Sequence, residues 1–279
     1  MQRNHHNNVE QASQVTLENS SSLPNVAVNS RQLEIHLSPR RTLRFLLLVI
    51  LGLSLASIAG QLTKYFLPNF FLRDRLAGLF YLDTERNIPS LYSASTLLFC
   101  SILLATIAYA KKVAGKRDVP YWGALSIIFL FLTWDEAVSL HEKLIDPLRS
   151  MLNTSGFFHF AWVIPGSIFV ILCLLGFWGL LSVLPAKIRR LFLTAGAVYV
   201  GGALGIEMIN GYYASLYGEQ NIGYALLTTL EESCEMLGIA IFIYALLSYM
   251  SSSIGLDLCI HILKDKKPSK ERNRLPNQV

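Results

Sequence analysis

Asp135, Glu136, Glu207, Glu231, Glu232 and Glu235 all fall inside stretches that are otherwise apolar enough to cross a bilayer. A charge in hydrocarbon is costly, so acids at membrane depth mark an ion pathway, a proton relay or a metal site. Glu231, Glu232 and Glu235 crowd into five residues, and like charges that close disfavour joint ionisation unless a cation or protons are present. Carboxylate-rich sites favour hard or intermediate cations, and di-iron bundle proteins build theirs from inward-facing Glu and His. The expected ligands of a divalent zinc, iron or manganese ion are therefore Asp135, His141, Glu142, Glu207, Glu231, Glu232 and Glu235. Asp135, Glu136 and Ser139 are the expected catalytic groups.

Depth brings these groups into one layer. Counted from the opposite end of each stretch at ~1.5 Å per residue, Asp135 lies ~21 Å along its span, Glu207 ~24 Å, and Glu231 and Glu235 ~27 and ~21 Å. Helical spacing then sets Asp135, Ser139 and Glu142 on one face, four and seven positions apart, while Glu231 and Glu235 stand one turn apart on another. Glu207 and Asn210 share the end of a span just past Gly201-x-x-x-Gly205, a small-residue spacing that lets a neighbouring backbone approach.

Helices spanning a membrane must carry this layer. The 279 residues are 52% apolar and 15% charged, against about 25% charged for an ordinary soluble domain. Six runs are long enough to cross a hydrocarbon core of roughly 30 Å: 43–65, 91–110, 121–142, 157–181, 191–213 and 222–249. Basic residues concentrate before the first run, after the second, between the fourth and fifth, and after the sixth, which places both termini in the cytoplasm. The expectation is an all-α, polytopic six-helix bundle at 42–250, with the acidic layer in its outer half. The net charge of +5 comes largely from those anchors, so nucleic acid is not an expected partner.

Residues 1–41 are polar and lack a periodic apolar face, so they read as a disordered cytoplasmic tail, and 251–279 reads as a basic one that can rest on anionic lipid. The connection at 67–90 is too apolar for a plain loop and suggests a short helix on the outer leaflet. Its polar end, with Asp83, Glu85 and Asn87, would sit over the carboxylates as a gate, and Asn210 would join it in touching substrate. Cys100, Cys173 and Cys234 fall within spans and imply no disulfide framework.

The combination Asp135-Glu136-x-x-x-x-His141-Glu142, an upstream Asp83-x-Glu85-x-Asn87-x-Pro89 and a late Glu231-Glu232-x-x-Glu235 resembles an uncharacterised family of prokaryotic multi-spanning proteins, some labelled multidrug transporters. The resemblance covers most of 67–240 and implies a bacterial plasma membrane, without a mechanism. Ser139 and His141 also resemble features of the ceramidase and adiponectin-receptor superfamily of zinc hydrolases. The pair of histidines one turn apart in the last span, which that superfamily carries, is missing here.

Two main functions follow. A metal-dependent hydrolase or oxidoreductase would act on a lipid or other apolar substrate, whereas a proton- or cation-coupled transporter would use the same acids to drive flux. A non-catalytic assembly or sensor protein is the third. Membrane lipids are partners in every case.

Overall fold

The computed structural model describes residues 33–68, 71–84, 86–254 and 259–262. Its membrane domain is all-α, and six helices or helix pairs are long and apolar enough to span a bilayer. In chain order the helices are α1 (Pro39–Phe66), α2 (Arg73–Phe80), α3 (Ile88–Val113), α4 (Val119–Val138), α5 (Leu140–Leu152), α6 (Val163–Val183), α7 (Ala186–Val200), α8 (Glu207–Tyr217) and α9 (Ile222–Tyr249). A π-helical turn, Gly201–Ile206, joins α7 to α8 so that the pair makes one span, and α9 runs on into a second such turn, Met250–Ile254.

Most of the sequence expected in the two polar tails lies outside the described residues. What is described there includes a two-stranded sheet of β1 (Leu33–His36) and β2 (Cys259–Ile262).

Local chemistry fixes several helix starts. Proline, which has no N–H to lose at a first turn, opens α1, α3 and α4. Asn87 and Ser90 cap α3 reciprocally: Ser90 N donates to Asn87 Oδ1 at 3.1 Å and Asn87 N donates to Ser90 Oγ at 3.0 Å. Asn87 Nδ2 also donates to the carbonyls of Gly78 and Tyr81, tying α2 to the start of α3. The expected helix within 67–90 is thus present as α2, and Gly60 of α1 lets the Ala77 backbone lie close against it.

The core is built on α9. Some 56% of its most apolar window is enclosed, against 6% for α4 and for α6, so α9 is the central span and those two are peripheral. Ile243, Leu246 and Met250 of this last span are fully enclosed, among Leu97, Leu104 and Ile107 of α3 and Leu46 and Ile50 of α1. At the basic end a ladder of rings knits α4, α7 and α9 together. Trp122 stacks on Tyr249 at 5.0 Å and meets Phe192 edge-on at 6.2 Å, while Phe242 stacks on Phe129 at 4.8 Å. The buried indole is satisfied by donating to Asp118, which also pairs with Lys111 at 2.9 Å.

The third expected span, 121–142, is two helices. The α4 segment ends at Val138, Ser139 takes a left-handed conformation at φ 51°, and α5 begins at Leu140 in a new direction. The single face expected for Asp135, Ser139 and Glu142 is therefore broken. Its physical reason is the fold-back of His141 onto Asp135, described below.

Candidate functional site

Close helix approach sets the position of the three glutamates on α9. A Cβ at Gly202 would stand 2.9 Å from the Glu231 carbonyl oxygen, and one at Gly238 would stand 2.7 Å from Tyr199 N. Only glycine at both points allows α7 and its π turn to lie directly against α9. Gly201 and Gly205, the residues expected to mediate this approach, face open space, so the contact belongs to Gly202, one position on. Just past the turn stands Glu207, its carboxyl in hydrogen-bond contact with that of Glu231. Trp162 Nε1 donates to Glu207 Oε1 at 2.9 Å, and the Tyr199 side chain lies near Glu235. Two carboxyls in such contact need a shared proton or a cation between them.

The break at Ser139 builds a second pair. The chain turns so that His141 N donates to Asp135 Oδ1 at 3.0 Å and His141 Nδ1 meets Asp135 Oδ2 at 2.9 Å. Both oxygens of Asp135 are thereby engaged, one of them capping the first turn of α5. Burial by itself would depress the His141 pKa, but the hydrogen bond and charge of Asp135, aided by Glu235 and Glu142, outweigh it and hold the imidazole at about 9. His141 lines the same cavity as Glu136, Glu142 and Glu235.

The connection between α2 and α3 supplies a third component. Burial, reinforced by the charges of Glu142, Glu207 and Glu219, pushes the Asp83 carboxyl up to about 7 although the nearby Tyr81 hydroxyl opposes the rise. The Tyr224 hydroxyl of α9 approaches the same carboxylate at 3.5 Å.

These components surround one cavity of about 1020 Å³. Asp135 and Glu136 enter it from α4, His141 and Glu142 from α5, and Glu207 from α8. The central span adds Glu231, Glu232 and Glu235, and Asp83 enters from the α2–α3 connection. Below this layer the walls are apolar and descend to Phe192 and Phe242 of the ring ladder. Among the described residues, no three His, Cys, Asp or Glu side chains are already gathered tightly enough to enclose a single metal ion.

Three other expected site residues stand apart from the cavity lining. Ser139 is a buried residue that ends α4 in a left-handed conformation. Asn87 engages both ends of its amide, as a helix cap and as a clamp on α2. Asn210 supports the site from behind, with Nδ2 donating to Thr228 at 2.8 Å and to Glu231 Oε2 at 3.3 Å. Its Oδ1 is buried without a hydrogen-bond partner among the described residues. Glu85 lies outside the described residues.

A family model described as a domain of unknown function, DUF8692, matches residues 43–250. The chain belongs to this family. The DUF8692 match takes in every acid of the cavity and stops short of both polar tails. No curated protein and no solved structure matches the chain. Trp162 and Tyr199, which stand beside Glu207 and Glu235 within this domain, carry no sequence signal of their role. Trp162 reads as an interface-belt residue and Tyr199 as one more apolar member of a span.

Proposed function

We propose that this membrane protein is a metal-dependent enzyme acting on a lipid or other apolar substrate, with a divalent ion held at the acidic layer. The observation that carries the reading is the Asp135–His141 pair. Histidines that ligate metals commonly give their other ring nitrogen to a carboxylate, which fixes the ring and raises its basicity. Here Asp135 engages Nδ1, and His141 lines a cavity that Glu207, Glu231, Glu232 and Glu235 also line. From behind the cavity Asn210 Nδ2 donates to Glu231 Oε2 at 3.3 Å, which fixes the position of that carboxyl. Gathering side chains around an ion needs rotamer changes in a cavity that has room for them. Asp135, expected at first as a ligand, serves here to orient His141. A bound ion would polarise a substrate oxygen or lower the pKa of a bound water.

Elemental analysis of protein purified without chelator tests this. About one or two equivalents of one transition metal are expected, falling sharply in His141→Ala and Glu231→Gln. Metal-free wild-type protein that cannot be loaded would overturn it.

One observation favours a second reading, proton-coupled transport. The Glu207–Glu231 contact is also what a shared proton would produce. Proton-dependent flux in liposomes by metal-free protein, lost in Glu207→Gln, would select it.

A further inference from the structure

We infer that the cavity takes a long-chain amphiphile with a cationic head, which enters sideways between α4 and α6 with its hydrocarbon chain pointing away from the acids. This deepens the enzyme reading above and rests on it for the role of the head group, but the binding itself can be tested without metal or turnover.

The walls have two chemistries, arranged end to end. On α4 the lining residues Leu125, Ile128, Phe129 and Leu132 continue directly into Asp135 and Glu136, so a single helix face passes from apolar to acidic. Ten residues separate Leu125 from Asp135 and eighteen separate Leu180 from Trp162, which at ~1.5 Å per residue gives an apolar shaft of ~15 to 27 Å. That depth is comparable to one leaflet or more of a core roughly 30 Å thick. Phe192 and Phe242, whose rings meet edge-on at 4.7 Å, line the apolar end, which suits a chain terminus.

The slot between α4 and α6 gives access from the bilayer. The two sides meet at the basic end through Tyr121 and Phe177, with ring centroids 6.4 Å apart, and at the acidic end through His141 and Trp162 at 4.9 Å. Between those contacts Phe129 of α4 and Phe169 and Val170 of α6 face the cavity. Moving a chain from lipid into such a shaft changes its surroundings little, because lipid tails are as apolar as leucine. Selection therefore falls to the head. The lining has two basic residues among those described, His141 and Arg149, and both already meet carboxylates. Once they release their protons the surrounding acids outnumber these bases, and with no metal bound the field at the head position then attracts a cation and repels a carboxylate or phosphate.

Photo-crosslinking in nanodiscs tests the inference, using hexadecylamine with a diazirine at the far end of its chain and the matching hexadecanoic acid. The amine is expected to label Phe177, Leu180 or Phe192, and to outcompete the acid by at least about tenfold, or ~1.4 kcal/mol. Gly196 borders the cavity and a Cβ there meets nothing within 4 Å, so Gly196→Trp should fill the shaft and abolish labelling while metal content stays unchanged. Gly176→Trp, equally uncrowded but away from the lining, should label as wild type. Labelling of wild type confined to lipid-facing positions such as Leu175, or unaffected by Gly196→Trp, would overturn the shaft. Equal capture of amine and acid would overturn the cationic head. Either result leaves the metal analysis to stand or fall separately, because the probe's binding requires no ion.

Discussion

At Asp135 a single carboxylate performs two tasks, capping α5 and holding His141, and one substitution separates them from the chemistry of the cavity. Asp135→Asn keeps the shape but removes the charge. The His141 pKa is expected to fall from about 9 toward or below its ordinary 6.5, because burial then meets less opposition, and NMR titration of histidine-labelled protein would read it. The weakened cap should also cost about 0.5 to 2 kcal/mol of stability. An unchanged His141 titration would show that the pair does not form in solution. Asp83 gives a second expectation, in protein stripped of divalent ions. Its carboxyl ionises near 3.8 when unfolded but holds its proton to about 7 in the fold. A group raised in this way contributes stability that is fully present below 3.8 and is lost as the pH rises through about 7. Thermal denaturation across that window should show the loss in wild type and a smaller one in Asp83→Asn.

Two glycines decide how closely α7 and its π turn lie on α9. Gly202→Ala and Gly238→Ala would each force a Cβ into backbone on the neighbouring helix, and a cost of about 1 to 3 kcal/mol is expected from such overpacking. Gly201→Ala and Gly205→Ala meet open space and should be neutral or stabilising by up to about 1 kcal/mol, the entropy that glycine loses in a helix. Denaturation midpoints of the four variants check this, and equal effects at all four would refute the packing. The small-residue pattern was legible in the sequence, but its register was not. A π turn advances the backbone without changing composition, so straight α-helical spacing mislocates the contact by one residue. The broken α4–α5 segment escaped for a related reason. Ser139 carries no strong helix-stop signal, and the turn exists because His141 and Asp135 find each other across it.

Across the whole molecule, hydropathy alone was enough to count six spans, since the length of an apolar run is a property of the chain and not of its contacts. The common depth of Asp135, Glu207, Glu231 and Glu235 was equally readable, and they do share a cavity. The order of packing around α9, the aromatic ladder and the placement of Trp162 and Tyr199 depend on which helices are neighbours, which one sequence does not record. The distribution of basic residues makes a further expectation at this scale. Single cysteines placed at Arg40 and Lys187, in a background lacking the native cysteines, should react with an impermeant maleimide from the cytoplasmic side, and those at Arg75 and Gly218 from the other. The reverse pattern would invert the bundle and put the acidic layer nearer the cytoplasm.

The π turn at Gly201–Ile206 also bears on ancestry. Such a turn is what a helix becomes when it accepts one extra residue without breaking, so the span carrying Glu207 can be viewed as an ordinary helix with an insertion. Removing one residue from Gly201–Ile206 would swing everything beyond it by about 100°, carrying Glu207 away from Glu231. A related chain with a one-residue gap at this point would retain its glutamate in an alignment and lose it from the cavity. Descent of the site would then be traced by the length of this segment as well as by its acids.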